Sequence, residues 1–193
     1  MKFSALDRLH LCCRHEQFIP GELHEDGRRY LPNIIVTPLN AGPDTHPGTR
    51  LWLVDRHHRV DPMLVGRITT MRLLCALSTI RLQTPPFRAG FVPSPGSLPD
   101  QPLSDPVIYG QIAEVLTWEV QRAQLPFETL YTELVINVGE AATIGLRTTL
   151  SAPRIASLIG RERLTSGDWV EINRSRIDIL ACLCQGGEIT TDG

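Results

Sequence analysis

Apolar residues recur along this chain at two spacings, near-helical in three stretches and alternating in several others. Phe3, Leu6, Leu9 and Cys13 return every three or four residues, which predicts a short amphipathic helix over 3–17, closed by Pro20-Gly21. Asp61-Pro62 reads as an N-cap with proline at the first helical position. Behind it, Met63, Ile68, Met71, Leu74, Cys75 and Ile80 predict a core helix, or two short ones broken at Gly66. Ser104-Asp105-Pro106 repeats that start, and Ile108, Ile112, Val115, Leu116 and Val120 lie along one stripe of a helix that Pro126 ends.

The alternating stretches predict strands. Residues 33–37 and 50–55 read as an antiparallel pair across a Gly/Pro/Asp-rich connection. In 131–138, Leu134, Ile136 and Val138 share one face. After Gly139, Ile144, Leu146 and Leu150 resume the alternation, so the two segments form a hairpin. A short helix over 153–160 has Ser151 or Ala152 near its cap and Gly160 as its stop. Leu164-Thr-Ser-Gly167-Asp168 turns into a strand over 169–172, and a polar turn joins it to another over 176–182. Helices and antiparallel strands without a regular βαβ alternation predict an α+β fold. It divides into an N-terminal subdomain with core helices (1–83), a Pro/Gly-rich linker or loop (84–102), and a helix followed by a β-rich antiparallel part (103–193).

Composition narrows the function classes. The chain has 193 residues and a net charge of −2, which argues against a domain built chiefly to hold nucleic acid; such a module ranks third among the readings. No stretch has the roughly 18 consecutive apolar residues of a membrane span, and Asp7, Arg8 and His10 interrupt any leader-like run, so a soluble cytoplasmic protein is expected. Lys2 is the sole lysine among 19 basic residues, and the arginines are scattered, as a GC-rich coding bias would leave them. Five cysteines at 12, 13, 75, 182 and 184 match no disulfide framework and suit a reducing compartment.

Candidate chemistry is sparse. No nucleophile elbow, phosphate-binding glycine loop or His-Glu-x-x-His helix is present. His10, Cys12, Cys13 and His15 form a local cluster of soft ligands, the basis of a second reading as a small metal-dependent protein or enzyme. Cys182-x-Cys184 would complete that cluster only if the fold joined the chain's ends. Arg56-His57-His58-Arg59 reads either as an anion site or as a solvated turn. His15-Glu16 and His24-Glu25-Asp26 are weaker acid–base pairs, because neighbours in sequence rarely hold a substrate in register. Gly167-Asp168 suits a turn better than an ion site, and Trp169 suits either core or a partner-facing anchor. No catalytic residue, cofactor or metal is assigned.

Pro102-Leu103-Ser104, Leu134-Val-Ile-Asn-Val-Gly139 and Leu164-Thr-Ser-Gly167-Asp168-Trp169-Val170-Glu-Ile172 come in an order that resembles the cytoplasmic-ring (sorting-platform) proteins of type III secretion. These are relatives of the flagellar motor-switch proteins with a surface-presentation-of-antigens (SPOA) domain, and the likeness spans about 102–185. It implies a long apolar helix before the strands and a non-enzymatic scaffold or adaptor. It also implies protein partners in a secretion or motor complex, with the β-rich part pairing as a homodimer or with a second SPOA-like chain. Members carry two β-rich domains, and here a single Gly-Asp turn of this kind is found. On this reading Trp169, Val170, Ile172, Ile177 and Ile179 are the partner-binding residues, with no nucleic acid and no membrane insertion.

Overall fold

In the computed structural model, which describes residues 3, 5–27, 29–120, 131–173 and 176–184, the chain is mostly β, with 49% strand, 9% helix and a closed five-stranded barrel at its core. The strands are β1 (Leu11–Ile19), β2 (Glu22–Leu23), β3 (Arg29–Tyr30), β4 (Asn33–Pro38), β5 (Leu51–Val54), β6 (Ile68–Ala76) and β7 (Thr79–Leu82). They continue with β8 (Gly90–Val92), β9 (Val107–Val120), β10 (Tyr131–Gly139) and β11 (Ala142–Thr148). The α-helix α1 (Ala152–Ile159) then precedes β12 (Trp169–Asn173) and β13 (Arg176–Cys184).

The barrel runs β1-β4-β5-β13-β6 and closes where β6 pairs with β1. All contacts are antiparallel except β5 with β13, which is parallel at Asp178 and Val54. Alternate residues turn inward, as the two-residue period of a strand requires. Leu11, Cys13, Ile34, Val36, Leu51, Leu53, Met71, Leu73, Cys75, Ile177 and Ile179 are buried there. Burial drives the thiols of Cys13 and Cys75 well above the ordinary range, so both pack as small apolar groups.

β6 belongs to a second layer as well. Its first half pairs with β1, and its last three residues pair in parallel with β11. From there the sheet runs β11-β10-β9-β12-β7, and β7 follows β6 after only Leu77 and Ser78, so the sheet curls back to the segment where it began. Phe3, Ala5 and Leu9 cover part of its outer face, over Leu74 and Val135, with Ala113 and Leu116 packed alongside.

The α+β expectation is therefore corrected to a β fold. The helix expected over 3–17 is one 3-10 turn (Leu6–Arg8) and then β1. At 61–80, Asp61 does cap a turn, accepting from Met63 N at 2.8 Å with Pro62 at the first position. That turn stops after Leu64, however, and Gly66 at φ +84° redirects the chain into β6 and β7. The long helix over 104–124, which the family resemblance also implies, is β9 as far as Val120; the rest lies outside the described residues. Among the described residues α1 is the one α-helix. Ser151 accepts from Arg154 N at its start, and Gly160 closes it in the left-handed region, as expected. The 33–37/50–55 pair and the 131–150 hairpin form as expected too. The strands at 169–172 and 176–182 also form, yet they do not pair with each other: β12 lies between β9 and β7, and β13 between β5 and β6. The Pro-rich 84–102 segment carries β8, whose Phe91 is wholly buried.

Candidate functional site

The uncovered part of the second sheet's outer face lies on β7, β12 and β9. Alternation on β12 sends Val170 and Ile172 into the core and Trp169, Glu171 and Asn173 outward. Antiparallel register then sets Arg81, Glu171 and Tyr109 in one row across three strands, with Trp169 opposite Gln111 in the next. Such cross-strand rows are the unit in which a sheet face is built.

Polar contacts fix the row. Arg81 donates to Glu171 Oε1 from Nε at 3.0 Å and Nη2 at 2.5 Å, and Asn173 Nδ2 adds a third bond at 3.0 Å. Partial burial works against ionisation of Glu171, but these donors and the Arg81 charge outweigh it and hold the carboxyl below its usual range. Desolvation and the neighbouring Glu171 raise the pKa of Tyr109, so its phenol stays protonated at neutral pH. The Arg88 guanidinium sits 4.2 Å from the centre of the Tyr109 ring, a cation–π contact.

The loop after β7 brings an aromatic onto this face. Phe87 stacks on Trp169 with ring centres 5.2 Å apart and planes 6° from parallel. The loop is pinned from both sides. Gln83 donates to Val170 O at 2.7 Å and to Arg88 O at 3.1 Å while accepting from Arg88 N at 2.8 Å. Asp44 accepts from Arg88 Nε and Ala89 N, both at 2.9 Å. Phe87 nonetheless remains 49% exposed. The result is a stacked, half-exposed aromatic pair beside a guanidinium-capped tyrosine, held on rigid backbone.

Of the sequence-predicted partner residues, Trp169 belongs to this face. Val170, Ile172, Ile177 and Ile179 have no exposed surface and pack in the core. Phe87, Arg88, Tyr109 and Arg81 were not singled out by the sequence. Their signal is three-dimensional, because strand register and the loop after β7 join segments that lie far apart in the chain.

The His/Cys cluster divides. On β1 the alternation turns Cys13 and His15 into the barrel, while Cys12 is half-buried on the other side and His10 is exposed, so the four do not converge. The fold does bring β13 to the same end. Thr69 Oγ1 lies 2.7 Å from His15 Nε2 and 3.3 Å from the Cys182 thiol. Burial lowers the pKa of His15, and among the described residues no three His, Cys, Asp or Glu side chains form a metal-sized group. His15 and Glu16 point to opposite sides of β1, Glu16 being held by Arg14 and Thr37. His24 lies tilted against Tyr30 in the exposed β2–β3 hairpin, ring centres 4.1 Å apart, and Tyr30 donates to Asp26. Gly167 adopts φ +93°, and Asp168 accepts from Thr165 N and pairs with Arg161, so this segment is a turn docked on β9.

No helix among the described residues is long and apolar enough to cross a membrane. Comparison with known proteins finds no matching family model, no matching curated protein and no matching solved structure.

Proposed function

We propose that this chain is a non-enzymatic scaffold or adaptor that docks a protein partner on the outer face of β7, β12 and β9. One observation carries the reading: Trp169 and Phe87 stack, partly exposed, on backbone that is hydrogen-bonded into place. Large aromatics presented at little ordering cost, beside arginines, are the residues in which binding energy concentrates at interfaces. The row Arg81, Glu171 and Tyr109, with Arg88 over the Tyr109 ring, supplies the polar rim. The most concrete assembly is a type III secretion cytoplasmic ring. What supports that choice is the likeness of the 164–172 block, which here is a Gly-Asp turn leading into the strand that bears Trp169.

The test uses the full chain with Trp169→Arg and Phe87→Ser, in quantitative binding to purified ring components. Expected are unchanged circular dichroism and an affinity loss of about 30-fold or more for each variant, the scale of an interface hot spot. Ring components that bind both variants as tightly as the parent would refute the docking face, and components that bind none of the three would refute the secretion assignment.

A further inference from the structure

A second site lies apart from that face, at the seam where β6 leaves the barrel for the second sheet, and shares no residue with it. A cleft of about 400 Å³ is lined there by Leu74, Ala76, Leu77 and Leu180 and bordered by Arg56, His57, Arg147 and Arg176, with one carboxylate, Asp178, among them. The apolar side chains come from the outward positions of β6 and β13 and the connection to β7. The cationic border comes from three separate segments, so only the folded chain assembles it.

The Arg56-His57 edge is built, not loose. Asp55 is wholly buried; its N–H donates to Pro32 O at 2.8 Å, and its carboxylate accepts from Arg59 N at 2.8 Å and Val60 N at 2.9 Å. His58 takes the left-handed conformation at φ +51°, tightening the turn that carries its two predecessors over the cleft. Two other cations are neutralised internally, Arg147 by Glu133 and Arg176 by Asp178 through two bonds of 3.0 Å. Among the described residues Arg56 and His57, both exposed, make no hydrogen bond or ion pair. A fixed turn thus holds one uncompensated guanidinium fork, with an imidazole beside it, above an apolar floor.

We infer that this cleft binds an amphiphilic anion, a phosphate or carboxylate head on an apolar body. The head would take the Arg56 fork, which matches such planar or tetrahedral oxyanions in two parallel bonds, and the body would cover the half-buried Ala76 and Leu180.

Calorimetric titration of the full chain with monomeric decyl phosphate tests this, alongside inorganic phosphate as head alone and decanol as body alone. Saturable one-to-one binding of decyl phosphate is expected, weakened about tenfold or more in Arg56→Gln, as loss of a charge-assisted bond implies. Each fragment should bind far more weakly than the whole. The thermal midpoint of Arg56→Gln should stay unchanged, since Arg56 is exposed and makes no hydrogen bond or ion pair among the described residues. Flotation with phosphatidic acid vesicles separates the sources: Arg56-dependent flotation assigns the head to a lipid, and binding of decyl phosphate alone assigns it to a soluble molecule. Absence of saturable binding, equal binding by Arg56→Gln, or a fragment binding as tightly as decyl phosphate each overturns the inference.

Discussion

Single side chains here have sharply different jobs depending on which way one strand turns them. Trp169 and Val170 are neighbours in sequence, yet one is half-buried beside Phe87 and the other has no exposed surface. An aspartate at Val170 or Ile172 would therefore be a buried, unpaired charge, and each substitution is expected to unfold the protein, which loss of its circular dichroism and thermal transition would register. The milder Ile172→Ala should cost about 2–5 kcal/mol in denaturant melts. Backbone closeness sets a similar limit at Gly110, where an added Cβ would lie 2.2 Å from Asn137 O on β10. His15 ties stability to pH. Its folded pKa is lowered by burial, so the unfolded chain binds the proton more readily. The stability contributed by the neutral ring is complete above the unfolded value of about 6.5 and declines as pH falls from there toward the folded pKa. Urea midpoints compared at pH 7.5 and 5.5 should drop more for the parent than for His15→Gln.

Elements, more than residues, show why some of this fold was legible and some was not. The 131–148 hairpin has apolar and polar residues in strict alternation about a glycine turn, and α1 has both its cap and its stop, so local chemistry and final structure agree. β9 misleads because it is bulged. Its register against β10 slips at three places, passing over Ala113 and Leu116, and each extra residue stretches a two-residue period toward three or four. Ile108, Ile112, Val115 and Leu116 thereby imitate a helical stripe. The countersignal was composition: Val107, Ile108, Tyr109, Ile112, Val115, Thr117, Trp118 and Val120 are all β-branched or aromatic. β6 misleads for another reason. Leu73, Leu74 and Cys75 are all buried, since one face lines the barrel and the other lies under Phe3 and Leu9, and a strand covered on both faces has no alternation to read. Of the candidate face, Trp169 alone was visible in advance. At this scale the Asp55 turn is also exposed to test: Asp55→Ala leaves Arg59 N and Val60 N without their acceptor and should lower stability by about 1–3 kcal/mol in a denaturant melt.

For the molecule as a whole, the decisive feature is that β13 completes the barrel between β5 and β6. Its partners, β6 and β5, lie more than a hundred residues earlier for most of the register, and no other described segment fills that position. A ribosome that has released everything up to Gly160 has therefore made four of the five barrel strands and still holds an open sheet, with the edge of β6 that β13 covers bare. The nascent chain must wait, its Leu73 and Met71 unsealed, until residues 176–184 emerge, and such non-local closure places folding on a millisecond-to-second scale. Translation arrested with Gly160 just clear of the exit tunnel should leave these strands open to protease, and arrest on an added C-terminal linker that frees Cys184 from the tunnel should protect them together. In the interval the bare edge is a docking place for any extended peptide, so a chaperone that occupies it would set how much of this protein reaches its working form.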